Sequence, residues 1–351
     1  MQIKIYTKAY TPLTTLVQTR TESDFNNLTY TDTLGQVGSC SFVMRLDRNK
    51  ANLTNLKHYN IIEICEDDGT KRWVGVIVDR QVHLNTVVIN CYSLIHLLTK
   101  RLTGASDTFT GTASAAITSL LTTTNAVVDS KISAGTINNP TTINVTLSRS
   151  SIFDALKTIA EASNGQFKVN PDKTLDFKSS IGNDLSANVV FQYQISLISS
   201  ANIVTFQVED DAKGIATKTF GESGAYTSTQ SDSSLQSEYG LFEEYKNFRE
   251  LNNQTTLDNM TAGNNRNSEL SPLLDLSPGV KDNFEVGDLV KVIITNNLVS
   301  INAVYQVTEK KVTIKGGNQR KITIRVNSNN SDFFKQIKDL KRDINLLIRT
   351  L

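Results

Sequence analysis

Histidine and cysteine have the widest chemistry of the side chains, because they bind metals and act as bases or nucleophiles. The histidines of the chain are His58, His83 and His96. None forms an H-E-x-x-H motif or an i, i+4 pair with another metal ligand. Cys40, Cys65 and Cys91 stand 25 and 26 residues apart, spacings that match no zinc pattern. Their apolar, strand-like contexts predict buried free thiols in a chain folded in a reducing cytosol, and no bound metal.

Candidate nucleophiles and acid pairs are equally weak. The stretch 221–224, Gly-Glu-Ser-Gly, resembles a serine motif but lies in a polar segment without a strand-turn-helix context. Adjacent carboxylates, which glycosidases use in pairs, occur at Asp67–Asp68, Asp210–Asp211 and Glu243–Glu244. These positions are typical of solvated acids at turns and strand ends. A sugar site usually also needs an exposed aromatic platform, but Trp73, the single tryptophan, falls inside a predicted strand. The sequence therefore predicts no catalytic residue, no cofactor and no enzyme.

Composition excludes several further classes. The chain has 351 residues, 36 Lys and Arg against 35 Asp and Glu, and a net charge of +1. This balance lacks the basic footprint of a nucleic-acid-binding protein. No apolar run approaches the roughly 20 residues that span a bilayer, so we expect no stable membrane insertion. The alternating N-terminus predicts a strand rather than a signal peptide, and hence assembly in the cytoplasm.

The elements that would position these residues begin with a β-rich region, residues 1–104. Two apolar runs, Ile61–Cys65 and Trp73–Val78, flank an Asp-Gly turn and predict a hairpin. A third strand follows at 86–91, and the spacing of 92–98 favours a short helix with Ser93 as its cap. Short strands with close turn signals are typical of a sandwich or barrel.

The next segment, residues 105–196, has mixed character. An apolar face predicts a helix from about Ser150, with Ser151 and Asp154 as a capping box and Asn164-Gly165 as its stop. Phe167 to Phe177 then alternates around an Asn-Pro turn. This order predicts a helix packed on a hairpin, which is a small α/β module.

Residues 197–328 return to β character. Strands are predicted at about 197–220, and the closing strands at about 286–294, 303–314 and 321–326. Between them, about 223–282 is polar and is predicted to be an extended or loop insertion. Tyr239, Phe242, Tyr245 and Phe248 are spaced by three, which favours a helical stripe within it.

The C-terminal segment, residues 329–351, predicts an amphipathic helix. Its apolar residues are spaced 4, 3, 4, 3 and 4 apart: Phe333, Ile337, Leu340, Ile344, Leu347, Leu351. This is a heptad seam that predicts an oligomerising coiled coil, although Ile at a with Leu at d favours dimers in parallel coils. The alternative is a lone helix packed on its own subunit.

The order of these elements resembles the tail-hub family of bacteriophages, related to contractile-tail baseplate hubs and to the base of type VI secretion spikes. Four stretches carry the resemblance. They are 73–77 followed by 87–98, 151–156 followed by 167 and 175–177, 239–243, and Phe284–Val290 followed by Tyr305–Glu309. The last resembles the closing hairpin "G-D-x-V … Y-x-V-x-E" of the family. No lysozyme, peptidase or fibre domain is recognisable at the C-terminal end.

The resemblance implies a mainly β (α+β) fold of two tail-tube-like β-barrels, at 1–104 and 197–328. They would have similar topology, with no sheet running through both and the α/β insert at the periphery. It implies a homotrimeric structural protein of the virion tail tip, which adapts the sixfold tail tube to a threefold tip. Implied partners are the distal tail or tail-tube ring, the tape-measure protein and fibre or spike proteins. The genome would pass through the lumen without sequence-specific binding.

Two other interpretations stay open. One is a receptor- or carbohydrate-binding tail or fibre protein, which should show exposed aromatic side chains or repeats near one end. The other is a polysaccharide-degrading tail enzyme, which should release sugars from host envelope.

Overall fold

The computed structural model describes the whole chain except residues 20–22, 48, 194–200, 249–250, 252, 266–268, 297–298, 316–318 and 328–351. Its fold is mainly β, as the sequence predicts. The expected C-terminal helix, residues 329–351, lies outside the described residues.

The described part of the N-terminal half is built from seven strands. They are β1 (Gln2–Tyr6), β2 (Pro12–Val17), β3 (Phe25–Thr33), β4 (Ser39–Arg45), β5 (Ile61–Cys65), β6 (Lys71–Val82) and β7 (Thr86–Ser93). Of these, β1, β4 and β7 alternate buried and more exposed residues, while β5 is buried throughout. The predicted hairpin is confirmed as the antiparallel pair β5–β6. The predicted short helix is a 3-10 helix, Leu94–Lys100. Ser93 does not cap it through its side chain, because its hydroxyl instead accepts a hydrogen bond from the backbone of Gly38 at 2.8 Å.

Residues 105–183, here called the first module, form two small sheets with two helices. The elements are β8 (Asp107–Thr112), α1 (Ala113–Val127), β9 (Ser133–Asn138), β10 (Thr142–Leu147), α2 (Ile152–Ser163), β11 (Gln166–Val169) and β12 (Thr174–Lys178). The predicted cap is present, since the Ser151 hydroxyl accepts the Asp154 N–H at 3.0 Å. Asn164 ends α2 in the left-handed conformation with φ of 47°. Sheets β8–β10 and β11–β12–β9 are separate from the main sheet.

The remaining elements belong to the C-terminal half and to an insertion within it. They are β13 (Val190–Tyr193), β14 (Ile203–Asp211), β15 (Lys218–Ser223), β16 (Tyr226–Ser231), α3 (Ser233–Tyr239), β17 (Glu243–Asn247), α4 (Gln254–Ala262), β18 (Glu269–Leu276), β19 (Leu289–Thr295), β20 (Ser300–Lys315) and β21 (Gln319–Asn327). β13 precedes the expected boundary at 196 but pairs with β19 in the main sheet.

The predicted loop insertion at about 223–282 is wrong for most of its length. Residues 212–265, here called the second module, form the sheet β16–β15–β17 covered by α4. Its buried sheet positions are small and polar, among them Thr219, Ser223 and Ser228, so hydropathy does not reveal them. The predicted helical stripe is also wrong, because α3 ends at Tyr239 and the chain then becomes the strand β17.

One sheet joins both halves, in the order β14-β18-β21-β20-β3-β4-β7-β6-β5-β1-β2, with β13 and β19 attached at β20. The expectation that no sheet runs through both β regions is therefore wrong. β3 pairs with β20, for example Tyr30 with Val312, because each strand supplies the partner that the other's free edge needs. The strand ladders of the described residues form no closed barrel. Within the N-terminal half, the segment after β2 meets the segment before β3 at an isolated bridge, Gln18–Ser23.

Candidate functional site

A densely bonded polar region lies where β3 meets β20, and we call it the junction. The first module reaches it through its β11–β12 hairpin, which makes that hairpin central rather than peripheral. Leu34, just after β3, donates its backbone N–H to Thr308 at 3.0 Å, and Gly35 donates to Phe167 in β11 at 3.0 Å. Backbone hydrogen bonds at the junction therefore connect both halves and the first module.

An ion network of six side chains crosses the junction. Its members are Glu66, Arg72, Asp282, Glu285, Lys310 and Arg320. Lys310 is buried in β20, 2.5 Å from Asp282, and also donates to the Phe284 carbonyl at 2.6 Å. Arg320 in β21 pairs with Asp282 and, at 2.8 Å, with Glu66 of the N-terminal half. The network therefore bonds one half of the molecule to the other.

The charges of this ion network balance, with three cations against three carboxylates. Burial alone would lower the pKa of Arg320, but Tyr30, Asp282 and Glu66 raise it above its ordinary value. The same holds for the pKa of Arg72, which burial would lower and Asp282, Glu66 and Glu285 raise. Removing one member would leave an uncompensated charge, which typically costs about 3–5 kcal/mol at a buried site. The arrangement therefore fixes the relative positions of the segments that carry these side chains.

A buried amide pair holds the first module against the C-terminal half. Gln166 and Gln306 exchange hydrogen bonds at 2.9 and 3.0 Å. Gln306 also donates to the carbonyls of Ile181 and Gly287, each at 2.9 Å. Gly182 and Gly287 both have positive φ, of 94° and 103°, and a Cβ on Gly182 would lie 2.2 Å from the Gly287 carbonyl carbon. The backbones thus approach more closely than any side chain would permit.

The tip of the β11–β12 hairpin anchors the first module to the N-terminal half. The Lys173 ammonium lies 3.4 Å from the centre of the Tyr10 ring, which stacks on Tyr6. The Tyr6 and Tyr10 hydroxyls both donate to the buried carboxylate of Glu63, which also pairs with Lys71 at 2.7 Å. Burial and the Glu63 carboxylate raise the pKa of Tyr6 to about 12. Burial alone would raise the pKa of Glu63, but the hydrogen bonds from Lys71 and Tyr10 lower it overall.

The histidines and cysteines are not brought together for chemistry. His96 packs on Tyr92, and burial together with Lys100 lowers its pKa. Cys40 and Cys91 face each other on β4 and β7 and are buried, as is Cys65. Among the described residues, no group of three His, Cys, Asp or Glu side chains is arranged to hold a metal ion.

The predicted acid pairs are used structurally where their side chains are described. Asp67 pairs with the N-terminal amine, Glu243 with Lys218 at 2.9 Å, and Glu244 with Lys246 at 2.6 Å. Trp73 is buried, as predicted, and its indole donates to the Thr31 carbonyl at 3.3 Å. In the described part of the chain, no helix is long and apolar enough to cross a membrane.

The six predicted seam residues, Phe333, Ile337, Leu340, Ile344, Leu347 and Leu351, lie outside the described residues. Sequence reasoning missed Asp282, Lys310 and Arg320, because no local pattern marks a charge whose partner lies tens or hundreds of residues away. A signal existed for Gly287–Asp288, which the closing "G-D-x-V" stretch contains. The structure gives its reason, since Asp288 accepts the N–H groups of Asn183 at 2.8 Å and Glu285 at 2.7 Å.

Solved structures with this fold come from phage tails and a secretion system. A tail protein from Neisseria meningitidis has a TM-score of 0.68 at 14% identity, covering 94% of this chain and 97% of that one. Prophage tail protein gp18 from Listeria monocytogenes has 0.65 at 11%, covering 98% and 100%. An E. coli type VI secretion component, itself structurally similar to the T4 tail proteins gp27 and gp5, has 0.53 at 8%, covering 88% and 74%. No protein-family model and no curated protein matches the sequence.

These neighbours confirm, at the level of the fold, the relationship predicted from the order of the elements. The chain has the fold of bacteriophage tail proteins and of a type VI secretion component.

Proposed function

We propose that this protein is a non-enzymatic structural subunit of a bacteriophage tail tip, a tail hub. The observation that carries the proposal is the fold match to phage tail proteins, which covers nearly the full length of both chains in each comparison. The junction supports it, because a hub subunit must hold two β regions in a fixed relative position. The use of acids and lysines as mutual partners also favours a structural over a catalytic role.

The hub would be a homotrimer in which each subunit supplies two tube-like β domains, giving six around the lumen. The strands of the two halves, which are joined by the pairing of β3 with β20, would form these two domains. Such a ring would adapt the sixfold tail tube to the threefold tip. The distal tail or tail-tube ring would lie on one side, fibre or spike proteins on the other, and the tape-measure protein and later the genome in the lumen.

The heptad seam from Phe333 to Leu351 is the proposed trimer contact. The test is the mass of the purified full chain by multi-angle light scattering, where three copies of the 38.8 kDa subunit are expected. Ile344→Asp places a charge in the seam and should shift the mass towards the monomer. Arg342→Asp, at the outward f position of the same heptad, is the matched control and should leave the trimer intact.

Each outcome of that experiment is informative. A monomeric wild-type chain, or threefold symmetry missing from electron micrographs of tail tips that contain it, would contradict the hub assignment. A trimer unchanged by Ile344→Asp would instead show that the seam faces its own subunit. Release of sugars or muropeptides from host envelope, abolished by one point substitution, would replace the structural role by a tail enzyme.

A further inference from the structure

The second module exposes one face of its sheet, and the strand register fixes which side chains lie there. β15 is the central strand, with β16 antiparallel on one side and β17 parallel on the other. The middle row across the three strands is Tyr245, Phe220 and Thr229. Tyr245 in this row is 59% exposed. Aromatic rings therefore stand at the centre of an open surface.

Polar rows flank the aromatic row on both sides. One row is Asn247, Glu222 and Thr227, and the Tyr245 hydroxyl donates to Glu222 at 2.5 Å. The other row begins with Glu243 and Lys218, which form an ion pair at 2.9 Å. The Lys218 ammonium also lies 4.5 Å from the centre of the Phe220 ring. The side-chain contacts within the face hold these groups in defined positions before any ligand arrives.

The opposite face of the same sheet is closed. Thr219 and Ser223 are buried there, and a Cβ on Gly221 would lie 2.0 Å from the Thr261 hydroxyl of α4. The sheet is therefore pressed on its helix, and the aromatic face is held outward on a rigid support. A preorganised surface loses less entropy on binding than a mobile one.

We propose that this face binds a neutral oligosaccharide. Aromatic rings take up the C–H faces of sugar rings, while carboxylate, amide and hydroxyl groups accept and donate to sugar hydroxyls. All of these groups lie within three adjacent rows of one sheet. The inference is independent of the trimeric state and adds a binding function to the structural role.

The charges and composition of the face favour this ligand over other partners. One lysine stands against two glutamates, Glu222 and Glu243, so an anionic polymer would meet a net negative surface. A stable protein interface centres on a well-packed apolar core, whereas the three rows contain two aromatic side chains, Phe220 and Tyr245, among charged and polar groups. A neutral polymer with many hydroxyl groups matches what is present.

The test is binding of the full-length protein to neutral hexasaccharides of glucose and of N-acetylglucosamine. Saturation-transfer NMR and calorimetry measure this binding. Tyr245→Ala should weaken binding about tenfold, as expected for losing one aromatic contact. Tyr226→Ala is the matched control, since Tyr226 is an exposed tyrosine of the same sheet paired with Ser223 of the buried face. It should leave the affinity unchanged.

Three results would overturn the proposal: no wild-type binding to any of these sugars, equal losses in both tyrosine variants, or stronger binding of dextran sulfate than of dextran. Should Tyr245→Ala alter thermal unfolding, Glu222→Gln takes its place, and unchanged affinity in that variant counts against the proposal. Light scattering on the same samples reports the trimer separately, so failure of this site and failure of the hub assignment are distinguishable.

Discussion

The two modules both combine helices with a small sheet but differ in how they meet the rest of the molecule. The first module is bonded to both halves, through Gln166 on one side and Lys173 on the other. The second module packs α4 on α2 and β10 of the first and turns a polar, aromatic face outward. Polar side chains that bond to both halves of the molecule therefore mark the module that fixes the structure. Exposed aromatic groups on a rigid sheet mark the module that is available for binding.

The largest expected effect is a loss of stability, and it is tested by comparing one glycine substitution in each module. Gly182→Ala should cost about 4 kcal/mol of unfolding free energy, because it adds left-handed strain to a clash with the Gly287 backbone. Gly224→Ala is the control, since Gly224 has a φ of 58° and a Cβ added there would meet nothing within 4 Å. It should cost about 1 kcal/mol. Urea unfolding measures both, and equal costs would show that the close approach at Gly182 is unimportant.

The buried amide pair gives the next effect. Gln306→Leu should cost about 3 kcal/mol, because it removes the donor to the Ile181 and Gly287 carbonyls and the acceptor of the Gln166 amide N–H. Thr219→Val, in the second module, removes one buried hydroxyl that donates to Asn265 at 2.9 Å and should cost about 1 kcal/mol. A double-mutant cycle with Gln166→Leu should show strong coupling, and additive losses would contradict the pairing.

The first module could be predicted from sequence because its signals are local. Ser151 caps α2, Asn164 ends it, and Phe167 and Phe177 alternate across the hairpin as expected. The second module was missed because a helix covers a sheet face of Thr, Ser and Gly, a composition that is typical of a solvated loop. Pairing of β3 with β20 depends on residues almost 300 positions apart, and no periodicity in a single sequence contains that contact.

Removing the second module should have a smaller effect than either Gly182→Ala or Gln306→Leu. Asp211 and Glu269 are paired at the ends of β14 and β18, so an Asn-Gly turn replacing residues 212–268 restores a simple hairpin. The loss should be about 2 kcal/mol, from the packing of α4 on α2 and β10. Thermal unfolding and light scattering should show a folded trimer that no longer binds oligosaccharides. Aggregation or a monomer would show that the second module is structural after all.

The smallest expected effect concerns two tyrosine–glutamate pairs. One is partly buried where the hairpin of the first module contacts the N-terminal half, and the other is exposed on the second module. The pKa of Tyr6 is raised from 10.0 to about 12, so the stability it contributes is fully present below pH 10. That contribution is lost as pH rises through 12, because the ionised phenol faces the Glu63 carboxylate. Allowing for solvent screening, about 1 kcal/mol should disappear between pH 10 and 12. Tyr6→Phe should remove this share of the loss, while Tyr10, whose pKa Glu63 also raises, keeps its own share. The hydrogen bond to Glu222 also raises the pKa of Tyr245, but that pair is open to water, so Tyr245→Phe should leave the alkaline stability profile unchanged. Urea unfolding at pH 9 and pH 11.5 measures the change in unfolding free energy of the two variants. If that change is the same in both, partial burial of the Tyr6–Glu63 pair does not increase its contribution to stability.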